Sequence, residues 1–317
     1  MSLQQFLIRG LVASALTLPM SAFATSFAYV PNEGSGSLSV IDTATDKVVA
    51  EIPVGKKPRG TAIGLDGRTA YVSDQPSNRL VMIDLVERKV SGSIDLGESP
   101  EGVGISPDGR WVVAAVEETN DVAFVDTRTN RKEFVVKVRG KNPEHAVFAP
   151  DSRHVFVSAE EGEAVDVIDL DKRAQVAQVR VGGRPRGIGF SPDGQRAYVA
   201  SESSNEVYVI DAVHFVVLEK ISAGLRSNGI AVHPDGGRVF VSNGGNATVS
   251  VIATASNTII ATIGVGERPW NMALTADGKK LYVACGRSGS VSVIDTERNL
   301  KVGDIAVGKL PWGVAIR

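Results

Sequence analysis

The chain has 317 residues, a formal net charge of −2, 43% hydrophobic and 22% charged residues, 33 glycines and one cysteine. Such a composition is that of a globular protein, neither disordered nor collagen-like, and abundant Gly, Val, Thr and Ser favour short strands and tight turns. A mildly acidic balance gives no electrostatic footprint for nucleic acid, and a lone Cys285 excludes an intramolecular disulfide.

The first segment reads as a secretory leader. Arg9 supplies the positive region, LVASALTLPMSA the apolar run, and Ala22-Phe23-Ala24 the small-x-small site, so cleavage is expected after Ala24. The apolar run is shorter than the ~20 residues of a membrane span, and no comparable run follows. Loss of residues 1–24 removes Arg9 and no acid, which leaves a charge of −3. The expected product is periplasmic, with no membrane span after leader removal.

From there a repeat organises the chain as one domain over residues 25–317. Strands LSVID, LVMID, VAFVD, VDVID, VYVID, VSVIA and VSVID end at Asp42, Asp84, Asp126, Asp169, Asp211, Ala253 and Asp295, with successive spacings of 42 or 43 residues. Each unit carries four runs of four to six alternating residues bounded by Gly, Pro, Asn and Asp, which is the strand-and-hairpin signal. Four strands per ~40-residue repeat predict an all-β seven-bladed β-propeller of four-stranded antiparallel blades. The first unit starts at FAYV, a second-strand sequence, and its missing innermost strand is expected from GVAIR at residues 313–317. C-terminal pairing into the N-terminal blade would close the ring and leave only short edges.

The repeats resemble the YVTN family of β-propellers. The resemblance rests on YVPN (29–32), YVSD (71–74), YVAS (198–201), FVSN (240–243) and YVAC (282–285), on VSVIDT, and on the SPDG turns at 106–109 and 191–194. More closely, the chain is similar to the exported seven-repeat subgroup associated with PQQ-dependent alcohol catabolism. That resemblance implies as partners a periplasmic c-type cytochrome, a PQQ-dependent dehydrogenase or a transporter component, with the propeller a monomer.

Function must come from positions that differ between equivalent copies, because fold alone does not supply it. The residue after the loop proline is Arg59, Glu101, Glu144, Arg186, Asn228, Trp270 and Trp312, with Ser227 replacing the proline before Asn228. The next residue is Gly in five copies but His145 and Asn271 in the others. Arg59, Glu101, Glu144, His145, Arg186, Asn228, Trp270, Asn271 and Trp312 are therefore the candidate ligand-binding set on the channel rim, an aromatic and cationic sector facing carboxylates. Nine residues before each strand-ending position stand Glu33, Gln75, Glu117, Glu160, Glu202, Gly244 and Gly286. With Glu118 and Glu161, the glutamates Glu117, Glu160 and Glu202 are expected to dock a cationic partner such as a basic cytochrome. The NGGN and CGRSG loops are expected to leave space beside the tryptophans.

Catalytic signatures are sparse. His145, His154, His214 and His233 lie in no HExxH spacing, and CxxCH, GxSxG and GxxxxGK[ST] are absent. No cofactor is implied by the residues. The preferred expectation is a non-enzymatic binding or scaffold protein, serving PQQ-dependent alcohol oxidation or a linked transport system. Its competitors are a hydrolase, most simply a metal-assisted lactonase using Glu101, Glu144 and His145, and a nucleic-acid or cell-envelope binder.

Overall fold

The structure, a computed structural model, describes residues 26–317. The expected leader and its cleavage point lie outside the described residues.

Seven four-stranded antiparallel sheets follow one another around a ring. Blade 1 combines Phe27–Asn32, Ser37–Asp42 and Lys47–Pro53 with Ala315–Ile316, and blades 2 to 7 begin at Pro58, Pro100, Pro143, Pro185, Ser227 and Pro269. The ring closes as the repeat phase requires. Ala28 pairs with Ile316 and Tyr29 with Ala315, flanked by Phe27 N–H donating to Arg317 O at 2.8 Å and Trp312 N–H donating to Pro31 O at 2.9 Å.

Second strands such as Ala70–Ser73 and Val112–Val116 are buried without alternation, because each blade is covered on both faces by its neighbours. One apolar cluster fills each of the seven gaps. Trp111 and Phe124 of blade 3 join Phe148 and Val155 of blade 4, and at the seam Ala28 and Val30 of blade 1 join Tyr282 and Val291 of blade 7. The outermost strands are exposed except for single anchors such as Ile52 and Ile221.

The repeat-marking aspartates are turn residues. Asp42 Oδ1 accepts from Ala44 N–H at 2.8 Å, and Asp84, Asp126, Asp169, Asp211 and Asp295 repeat that bond. These are side-chain-to-backbone turns two residues on, so the most regular acids in the sequence hold hairpins together rather than a ligand.

The innermost strands carry the feature that builds the site. Their pairing is irregular directly after the proline: Pro58 faces Asp74, but the next regular pair is Thr61 with Val72, and the same break recurs in blades 3 to 7. A bulge of this kind re-aims the side chain within it, here the residue after each proline. The following glycine has a packing cause. A Cβ on Gly60, Gly102, Gly187 or Gly229 would meet the next blade's backbone at 2.4 to 2.7 Å, so only glycine lets adjacent inner strands approach this closely.

Candidate functional site at the channel mouth

The two copies that break the glycine rule meet each other. His145 of blade 4 and Asn271 of blade 7 reach across the channel, with Asn271 Nδ2 3.1 Å from His145 Nε2. The His145 ring stacks on Trp312 of blade 1, centroids 5.2 Å apart and planes 21° from parallel. This layer divides the channel. Above it lies a mouth cavity of about 330 Å3, and below it a smaller one of about 140 Å3 lined by Gly60, Gly102 and Val314. A stacked pair of this kind contributes about 0.5–1.5 kcal/mol beyond its burial. Burial, against Glu144 and with the help of Arg186, lowers the His145 pKa to about 4, so the imidazole is neutral at physiological pH.

Around that floor the side chains form an ion-paired belt. Arg186 is its hub, with Nη1 2.5 Å from Glu144, Nη2 3.2 Å from Glu160 and Nε 3.0 Å from Glu202. Arg184 also pairs with Glu160, and Arg268 Nη2 lies 2.8 Å from Glu202. On the other flank Arg59 holds Glu101 at 2.5 Å and Glu33 at 3.2 Å, while Gln75 Nε2 donates to the same Glu101 oxygen at 2.7 Å. Glu101 is fully buried. Burial and the nearby Glu144 charge push its pKa up to about 8 despite Arg59. Burial is likewise the largest influence on Glu144 and works to raise it, but Arg186, His145 and Arg59 acting together outweigh it and hold the carboxyl below the ordinary range.

All nine rim residues flagged from sequence lie in or directly behind this mouth. Asn228, Trp270, Asn271 and Trp312 line the cavity with Arg59, Glu144, His145 and Arg186, and Glu101 stands behind Arg59. Their arrangement differs from the expected opposition of sectors: Arg59 and Arg186 each sit on carboxylates, because a charge left unpaired in so buried a position would carry an uncompensated desolvation cost. The docking set is split for the same reason. Glu118 and Glu161 face solvent and Glu117 is half-buried, whereas Glu160 and Glu202 are buried and turned inward onto arginines.

Two further expectations are corrected. The space expected beside the tryptophans from the small NGGN and CGRSG loops is filled at Gly286 by Trp270 itself, where a Cβ would lie 2.9 Å from the ring, and at Gly244 by Arg268; what stays open along these loops is a groove edged by arginines rather than tryptophans. Nor do Glu101, Glu144 and His145 form a metal-ligand trio. Among the described residues the potential ligand atoms within 4.8 Å of one another belong to Glu117, Glu144 and Glu160; Arg59 holds Glu101 and Asn271 engages His145.

Sequence reasoning missed Arg184 and Arg268, which occupy the position before the loop proline. That position reads Lys57, Ser99, Asn142, Arg184, Arg226, Arg268 and Leu310, and its run of three arginines was available as a signal.

The molecule is thus a seven-bladed β-propeller with a floored, ion-paired pocket at one end of its channel. Residues 168–307, from blade 4 through blade 7, match the family model described as "Lactonase, 7-bladed beta-propeller". No curated protein matches the chain significantly. Solved structures similar to it include hydrazine synthase of Kuenenia stuttgartiensis, 22% identical over 84% of this chain and 92% of that one, TM-score 0.78. A candidate 6-phosphogluconolactonase of Bacteroides uniformis is 19% identical over 93% and 100%, TM-score 0.77. The dihydro-heme d1 dehydrogenase NirN in complex with DHE is 19% identical over 94% and 78%, TM-score 0.69. At such identities the likeness is one of fold.

Proposed function

We propose that this is a periplasmic binding protein of PQQ-dependent alcohol oxidation or its linked transport, taking a small polar aromatic ligand in the channel mouth. One observation carries the reading: the His145–Trp312 stack, bonded to Asn271, turns an open channel into a pocket with an aromatic floor. Pockets with an apolar base and few convergent polar groups are the usual form of small-molecule sites. Arg59 lines the same cavity and supplies a guanidinium beside the aromatic floor. Catalysis by His145 is disfavoured by its burial and low basicity. Calorimetric titration with PQQ, aromatic acids and aromatic alcohols tests the proposal. Saturable binding that Trp312→Ala and Trp270→Ala each weaken by about tenfold supports it; no binding, or binding indifferent to both substitutions, overturns it.

A second reading, a lactonase, is favoured by the family match over residues 168–307. Its best-placed general base is Glu117, which lines the mouth and forms no ion pair among the described residues. Lactone turnover abolished by Glu117→Gln would support it. Absence of turnover with and without added divalent cations would remove it.

A further inference from the structure

We infer that a second, cationic groove beside the mouth, lined by Arg184, Arg226, Arg268 and Arg287, binds the oxyanion groups of a small multiply charged molecule. The groove has a volume of about 690 Å3 and runs over blades 5 to 7, with Glu202 as its sole lining carboxylate. It is continuous with the mouth, because Arg184 and Arg268 line both spaces. The inference extends the binding reading above by naming the charged part of the ligand.

Three of the four arginines come from one position of the repeat, on consecutive blades. Arg184, Arg226 and Arg268 each precede the loop proline or its serine substitute, and each has a left-handed backbone, with φ of 55°, 54° and 55°. The same conformation is met by Ser99, Asn142 and Leu310 in other blades. A left-handed position favours Gly or Asn and disfavours a long side chain, so the turn itself does not call for arginine. Three in succession concentrate positive charge on one sector of the rim.

The pairing pattern leaves that charge available. Arg184 is engaged by Glu160 and Arg268 by Glu202, whereas Arg226 and Arg287 are exposed and form no ion pair among the described residues. Arg268 Nη1 is buried without a hydrogen-bond partner. Space for this side chain is provided by Gly244, whose added Cβ would stand 3.0 Å from Arg268 Nη1. Guanidinium groups match carboxylate and phosphate oxygens with paired N–H donors, and several around one concavity favour charge of −2 or more over a simple monoanion.

Isothermal titration of the exported protein at low and moderate salt, with pyrophosphate, citrate and acetate as probes, tests the assignment. Saturable binding of pyrophosphate, citrate or both, but not acetate, is expected, and which of the two binds separates a phosphate-bearing from a polycarboxylate ligand. Arg226→Gln and Arg287→Gln should each weaken that binding about tenfold, the loss of one charge-assisted contact. Both side chains are exposed, so an unchanged melting temperature confirms folding, and the exposed Arg131→Gln on the far outer strand of blade 3 should bind as the native protein does. No binding of either polyanion, or equal binding by both groove variants, overturns the assignment. Trp312→Ala should leave the bare anions bound, so failure of the groove and failure of the aromatic floor give different results.

Discussion

Removing Arg186 by substitution with alanine tests the electrostatic core of the mouth. Its side chain is 13% exposed, and the guanidinium touches three carboxylates whose side chains are 7%, 10% and 5% exposed. Glu160 keeps Arg184 and Glu202 keeps Arg268, but Glu144 loses its sole ion-pair partner among the described residues. The cost is therefore concentrated on one stranded buried carboxylate, worth about 3–5 kcal/mol, or a fall of roughly 6 to 10 °C in melting temperature. The sign with pH follows. Without Arg186, the Glu144 carboxyl is held above its unfolded pKa of about 4.3, so stability is greatest when it is protonated and falls as pH rises. Denaturant unfolding at pH 5 and pH 8 should show the larger deficit at pH 8. Replacing Glu144 by glutamine in the same background should recover at least about half of the loss, since a buried pair replaced at both ends leaves no bare charge. A deficit under about 1 kcal/mol, or a double variant no more stable than Arg186→Ala, would refute the account of the belt.

Two other outcomes follow from the same geometry. Glu101, with its pKa raised to about 8, contributes stability that is fully present below its unfolded pKa and lost as pH rises toward and through 8; Glu101→Gln should flatten the melting-temperature profile between pH 5 and 8, and an unchanged slope would show that Glu101 does not cause it. Deleting residues 313–317 removes the pairing of Ala28 and Tyr29 and uncovers the seam between blades 1 and 7, so the melting temperature should drop by roughly 10 °C or more and protease should attack the first blade early; a deletion that melts like the full chain would contradict closure by this strand.

The repeat carried most of the fold in local form. Strand-ending positions at a spacing of 42 or 43 residues, Asp in six copies and Ala253 in the other, turn residues between them, and a C-terminal GVAIR in the phase of a first strand determine seven blades and how the ring closes, because each feature depends on neighbours in sequence or on arithmetic modulo the repeat. Repeat equivalence likewise marked which positions face the channel, since a bulge after every proline aims the same residue inward. Tertiary structure alone decided what those residues do to each other. The meeting of His145 with Asn271 and Trp312 joins positions 126 and 167 residues apart across the ring, and the capture of Glu160 and Glu202 by Arg184, Arg186 and Arg268 turned an expected acidic docking face into a neutralised pocket wall. Sequence fixes which charges are present on each blade, but ion pairing depends on distances of a few ångströms around a closed ring, and these exist only once the first and last blades have joined.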